Sequence, residues 1–270
     1  PSSTKGNEKL TWEKNAKFNV GVDFSFFKGR LTGTMEYYNN RTEDMLASFP
    51  YPPTLGYTSA LFNVGNMSNQ GFEMELRGDV IRTKDFTWNL YANLTTNKNK
   101  ITKLAKERKT QEYDGYWGYT NGSYYLTEGL SRYTYWSKKY AGVYNEKNYA
   151  LTGDEAYNPA KGGLALYYKN VYATDEQGNV LKDKNNAKVV DKVIATTNHS
   201  EADYYVGDDM LAKAFGGFGT GFQFKGFDLG VDFQYQIGGK VYDGEYQTLM
   251  SGMAGYGFHK DILNAWTPEN

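Results

Sequence analysis

From Phe227 to Ile237 the chain alternates without a break. Phe227, Leu229, Val231, Phe233, Tyr235 and Ile237 are apolar, and Asp228, Gly230, Asp232, Gln234 and Gln236 between them are polar or small. A strict period of two marks a strand with one apolar and one wetted face. The pattern recurs along the chain and predicts strands over about 16–27, 30–40, 70–82, 86–97, 215–224 and 227–238. In the first, Phe18, Val20, Val22, Phe24 and Phe26 oppose Asn19, Gly21, Asp23 and Ser25; in the fourth, Phe86, Trp88, Leu90, Ala92 and Leu94 share a face. All six prolines (Pro1, Pro50, Pro52, Pro53, Pro159 and Pro268) fall outside these segments, as ladder hydrogen bonding requires.

The connections are lopsided. Lys28-Gly29, Thr83 to Asp85 and Lys225-Gly226 make tight turns, whereas 41–69 and 98–207 are long. In the first long loop, Tyr51 and Tyr57 beside Pro50, Pro52 and Pro53 act as stiffeners. Tight turns at one end and long loops at the other are the habit of outer-membrane barrels. Segments of roughly ten to thirteen residues also suit a tilted crossing of hydrocarbon, which takes roughly nine to eleven. Because 86–97 runs toward the long loops and 215–224 runs back, an even number of crossings lies between them. Segments 133–144 and 164–173 are either two further barrel strands or parts of hairpins on the excursion.

Composition closes other routes. No apolar run approaches the length of a membrane helix, and mean hydropathy is -0.69, but a barrel strand needs only to alternate. Aromatic residues make up 17%, a high share of the types that favour pleated surfaces and membrane interfaces. A net charge of -1 with bases and acids interspersed argues against nucleic acid. The absence of cysteine removes disulfides and thiolate chemistry. The opening PSSTKGNEKL has no export signal and AWTPEN is no closing strand, so the chain reads as part of a larger protein. Two solvents remain for the apolar faces: a second sheet, giving a soluble β-sandwich, or lipid, giving a closed barrel with a polar lumen.

Catalysis and metal binding find no support. His199 and His259 are the only histidines, and neither falls in a predicted strand, as a barrel protease would need at its rim. Glu73 with Glu75 and Asp228 with Asp232 sit on wet strand faces and read as lumen wall. The run Gly216, Gly217, Gly219, Gly221 precedes no helix and lacks a phosphate loop's Lys-Ser/Thr, so packing under neighbouring aromatics is its better use. In DEQGNVLKDKNN (175–186) the ligand spacing is wrong for calcium, and Gln177-Gly178-Asn179 is a hairpin tip. No cofactor or metal is expected. The suggestive group is Tyr113, Tyr116, Trp117, Tyr119, Tyr124, Tyr125, Tyr133, Tyr135 and Trp136, gathered in the second long loop. Such rings suit sugar faces or peptide side chains, or else an interface belt or partner contact. Tyr37, Tyr38, Tyr91 and Tyr235 fall in strands, where girdle anchoring is the default.

Five stretches in order carry a resemblance: LTWEKNAKFNVGVDFSFFKGRLTGTMEYYNNRTEDML from Leu10, NVGNMSNQGFEMEL from Asn63, TWNLYANLTTNKNKITKL from Thr87, KKYAGVY from Lys138, and GGFGTGFQFKGFDLGVDFQYQIGGKVYD from Gly216. Together the chain resembles the SusC/RagA-type TonB-dependent outer-membrane transporters of Bacteroidetes. Only 145–211 lacks a counterpart, and DDMLAKAFGGF departs from the family's proline-bearing approach to GGF. The resemblance implies an all-β fold: an antiparallel transmembrane β-barrel portion, roughly six to eight strands of a plugged barrel of about 22, with extracellular loops 41–69 and 98–207 and without the plug. It implies import of an oligosaccharide or oligopeptide with a SusD-like lipoprotein, energy from TonB through the plug, contact with membrane lipid, and pairing of two transporter–lipoprotein units. The rival reading is a non-transporting barrel or soluble β-rich protein serving adhesion or binding.

Overall fold

The computed structural model describes residues 4–50, 52–252, 255 and 257–268; Pro1 and Tyr51 lie outside them. The chain divides into two compact units, Pro1–Gln111 with Trp117–Thr134 and Asp208–Lys240, and Glu112–Tyr116 with Tyr135–Gly207 and Val241–Asn270.

In the first unit the alternating segments form six long strands: β1 (Lys14–Phe26), β2 (Leu31–Pro50), β3 (Ser59–Arg82), β4 (Phe86–Thr96), β5 (Ala214–Phe224) and β6 (Phe227–Ile237). They pair antiparallel in chain order from β1 to β6. β4 and β5 are direct neighbours over their whole length, from Phe86↔Phe224 to Thr96↔Ala214. Of the two options for 133–144 and 164–173, the structure takes the second: the wall is continuous across β4 and β5, and these segments lie in the excursion between them.

The turns follow local geometry. Lys225 (φ 45°) and Gly226 (φ 88°) make the two-residue turn whose twist matches flanking strands, closing the Phe224↔Phe227 pair. The β1–β2 turn is longer than the Lys28-Gly29 pair expected. The ladder ends at Phe26↔Leu31, and Phe27, Lys28 and Gly29 all adopt positive φ, so Phe27 and Arg30 belong to the turn.

The segment 41–69, expected as a loop, is mostly strand. β2 and β3 stay paired out to Pro50↔Ser59, so Pro50 ends a strand instead of lying in a loop. Alternation fails there because bulges interrupt it: Asp44 sits at φ 53°, with its amide bound to Asn66 Oδ1, and Gly65 sits at φ 148° where the backbone of Lys103 leaves no room for a Cβ. A strand also opens the second predicted loop. Lys98–Leu104 continues the β4 ladder along β3, from Gln70↔Lys98 to Gly65↔Leu104.

Register places one side-chain set on each face. On one, rows such as Val22, Met35, Met74, Leu94, Gly216 and Tyr235 run across all six strands. This apolar face is uncovered by any second sheet among the described residues: Phe18 is 59% exposed, Phe233 53% and Phe227 80%. A sandwich would bury these rings. Instead they stack along the surface, Trp88 on Phe222 at 5.8 Å and Phe218 on Phe233 at 5.1 Å. The indole N–H of Trp88 donates to Thr220 Oγ1 at 2.8 Å, so that polar atom is satisfied within the sheet. On the other face stand Asp23, Thr34, Glu36, Glu73, Glu75, Arg77, Asn93, Asp232 and Gln234. The unit's buried cluster (Ile101, Leu104, Tyr119 and Leu126, with Phe49 and Tyr124 against it) is built where the ladder continues past β4.

In the second unit Tyr140–Val143, Ala165–Tyr172 and Val190–Thr196 form a three-stranded antiparallel sheet around Tyr144, Leu166 and Ala195. Tyr144 donates to Asp154 at 2.9 Å, and Lys161 donates to the same carboxylate oxygen at 2.7 Å, which ties 144–164 into a closed loop. Trp266 lies over Gly162 and Gly163, where a Cβ on Gly163 would come within 2.6 Å of the indole.

Candidate functional site

Both units contribute to the nine predicted aromatic residues. In the second unit Tyr113 packs on Trp136 at 5.5 Å, and Trp136 on Tyr204 at 4.0 Å. The Lys138 ammonium lies 5.0 Å from the Tyr204 ring, and that of Lys139 lies 4.6 Å from Tyr205. Burial raises the Tyr113 phenol above its ordinary range, with Tyr204 and Asp203 adding to it. Burial, with the Asp203 and Asp114 carboxylates, pushes Tyr205 up to about 12. These hydroxyls therefore stay protonated, as hydrogen-bond donors, across the physiological range. Tyr116 is 40% exposed. Tyr135 completes this unit's share.

In the first unit Tyr124 meets Tyr133 edge-on at 5.9 Å, and its hydroxyl donates to Met210 Sδ at 3.1 Å. Trp117 takes part through its backbone carbonyl, which accepts from Thr127 Oγ1 at 2.8 Å. Two residues leave the candidate set. Tyr125 is fully buried, with its hydroxyl spent on the Gln111 carbonyl at 2.9 Å, and Tyr119 is 7% exposed and packed on Phe49 at 5.4 Å. Both are core side chains, because a short hairpin with little else apolar draws on its tyrosines to build one.

The polar face of the wall adds a ring that sequence reasoning passed over. Phe215 is set by register opposite Gln236 and Thr95 and is 44% exposed. With Asn93, Gly217, Gln234 and Gln236 it lines a hollow of about 510 Å³. Its odd position, opposite in parity to Phe218, was the available signal. Along β5 the glycines are covered by neighbours. Tyr91 crosses Gly219 to donate to Asp232, Asn93 Oδ1 accepts from the Gly217 amide at 2.9 Å, and Tyr235 lies beside Gly216 with its hydroxyl on the Asn93 carbonyl at 2.9 Å.

The acidic turn residues serve the backbone. Asp175 accepts from the amides of Gln177 and Asn179, and Asp183 accepts from those of Asn185 and Ala187, so each carboxylate closes its own turn. The Asn179 side chain and these amides hold Asp175 below the usual carboxylate range. His259 caps the turn 260–264 by accepting from the Asp261 amide at 3.2 Å, whereas His199 lies inside a turn that Asn198 caps.

Similar proteins agree on the architecture. The TonB-dependent receptor P3 of Formosa agariphila is 27% identical over 98% of this chain and 24% of its own length. The TonB-dependent receptor SusC of Bacteroides thetaiotaomicron is 30% identical over 87% of this chain and 20% of its own. Among solved structures, the RagAB peptide transporter is 28% identical with a TM-score of 0.70, covering 98% of this chain and 26% of the other. This chain therefore spans about a quarter or less of the length of these relatives. None of them is named as an enzyme. With an uncovered apolar sheet face on one side, a polar one on the other, and a match to the family model over residues 1–267, the chain belongs to the TonB dependent receptor-like β-barrel family.

Proposed function

We infer that the intact protein imports an oligosaccharide or oligopeptide nutrient across the bacterial outer membrane, and that this chain supplies part of its barrel wall and surface loops. The observation that carries the reading is the two-faced wall: aromatic and aliphatic side chains uncovered across six strands, with carboxylates, amides and hydroxyls on the reverse. Likeness to SusC and to the RagAB peptide transporter supports transport as the activity. A SusD-like surface lipoprotein then captures ligand, TonB supplies energy through a plug outside this chain, and two such pairs associate.

Tyr113, Tyr116, Trp117, Tyr124, Tyr133, Tyr135 and Trp136 are the loop contacts for ligand or partner, and Phe215 is the contact on the wall. The test is deletion of the full-length gene in a host that depends on uptake, followed by accumulation of labelled oligopeptides and oligosaccharides. The expected result is that deletion removes uptake of one class, the gene restores it, and an uncoupler abolishes the restored uptake. Unchanged uptake of both classes overturns the proposal.

A further inference from the structure

We propose that the apolar face carries, at the end opposite the tight turns, a built site for a phosphorylated glycolipid of the outer leaflet. The proposal rests on the membrane reading above.

Register draws the site as a grid. The highest wholly apolar stretch runs Val20, Tyr37, Phe72. One step further from the turns, Phe18, Asn39, Gln70 and Lys98 lie side by side on β1, β2, β3 and the strand Lys98–Leu104. The next row is Ala16, Arg41, Ser68 and Lys100, and above it Lys14 stands opposite Glu43. Strands are spaced roughly 5 Å apart, so the four columns spread over roughly 15 Å, the scale of a sugar headgroup with its phosphates.

Charge and shape agree. Arg41, Lys98 and Lys100 are exposed, and among the described residues none of them forms an ion pair. Glu43 is the acid of this patch and offsets Lys14, which leaves three cations uncompensated. Two adjoining hollows of about 350 and 320 Å³ open here and share Asn39 and Arg41. Phe18 and Tyr37 line the second.

Cations set directly over an aromatic band offer two kinds of contact side by side. For an amphiphile with acyl chains along Phe18, Tyr37 and Phe72 and anionic groups above, both halves are needed. Guanidinium and ammonium groups bind phosphate through charge-assisted hydrogen bonds.

The experiment uses the full-length protein, purified in detergent and titrated with bisphosphorylated lipid A while native mass spectrometry counts bound lipid. The variant Arg41→Gln/Lys98→Gln/Lys100→Gln should retain it on the order of 100-fold more weakly. Dephosphorylated lipid A should bind the unaltered protein as poorly, and inorganic phosphate should not compete. The double variant Lys98→Gln/Lys100→Gln should fall between. Equal retention by the unaltered and triple-variant proteins overturns the proposal, and competition by inorganic phosphate overturns its lipid assignment. Outer-membrane fractionation of the same preparations separates the two readings. A protein that fractionates with the outer membrane yet ignores the phosphates defeats this inference alone, and one that leaves the membrane defeats both.

Discussion

At the scale of single residues, the wall is held by aromatic rings laid over glycines. Phe24 lies over Gly33, Tyr38 over Gly71, Tyr91 over Gly219 and Tyr235 over Gly216. The pairing lets a long side chain lie flat against a twisted sheet, and the hydroxyls of Tyr38 and Tyr235 reach the backbone carbonyls of Thr96 and Asn93. Gly71 is the tightest of them: a Cβ there would sit 2.0 Å from the Thr96 carbonyl oxygen and 2.5 Å from the Tyr38 hydroxyl. Backbone cannot swing aside as a side chain can. Gly71→Ala should therefore destabilise the barrel by about 1–3 kcal/mol, read as a lower temperature for loss of heat-modifiable migration in the full-length protein. Gly230→Ala, at a glycine with open space around its Cα, is the matched control and should be near neutral.

At the scale of elements, Lys98–Leu104 is pinned to the hairpin that follows it. The Leu104 amide donates to Glu128 Oε1 at 2.8 Å, the Lys109 ammonium lies 2.9 Å from Oε2, and the Arg108 guanidinium packs 3.5 Å above the Phe49 ring. Burial alone would raise the Glu128 carboxyl, but the Leu104 amide and Lys109 outweigh it and hold it below the ordinary glutamate range. A depressed folded pKa means stabilisation that is complete above the unfolded value of about 4.3 and lost as pH falls through the folded one. The carboxylate is 39% exposed, so solvent screening limits its worth to about 1 kcal/mol or less. The hydrogen-exchange protection factor of the Leu104 amide should accordingly hold from pH 7 to 5 and drop toward pH 3. In Glu128→Gln it should start lower and stay flat. A wild-type profile without that drop would count against the latch.

The same scale shows what could be read from residues alone. Strand positions were legible where period two is strict, because a face that is apolar throughout tolerates no slip. They were illegible over 41–50 and 59–69, where Asn39-Asn40-Arg41-Thr42-Glu43 is polar on both faces and bulges at Asp44 and Gly65 break the period while the ladder continues. The β4–β5 pairing carried no local mark at all. Of the aromatic site, the richness in rings was visible. That Tyr119 and Tyr125 are core and Phe215 faces the polar side depends on register and burial, which composition does not encode.

At the scale of the molecule, the excursion between β4 and β5 can be separated from the wall. Tyr133 and Met210 are joined by a hydrogen bond of 3.0 Å from the Met210 amide, so the ends of 135–207 are already close. Replacing 135–207 by a short Gly-Ser linker in the full-length protein should leave outer-membrane insertion and heat-modifiable migration intact while abolishing uptake. Loss of insertion would show instead that the wall needs the excursion to form.

That hydrogen bond also bears on the order of events during assembly. Loop-closure entropy makes the seam between β4 and β5 slower to zip than any hairpin in this chain, since 97–213 must be drawn together first. An excursion that folds by itself removes much of that delay. Once Tyr133 and Met210 meet, the seam is in effect a short-range contact, and β1 to β4 can receive β5 and β6 as one preformed hairpin.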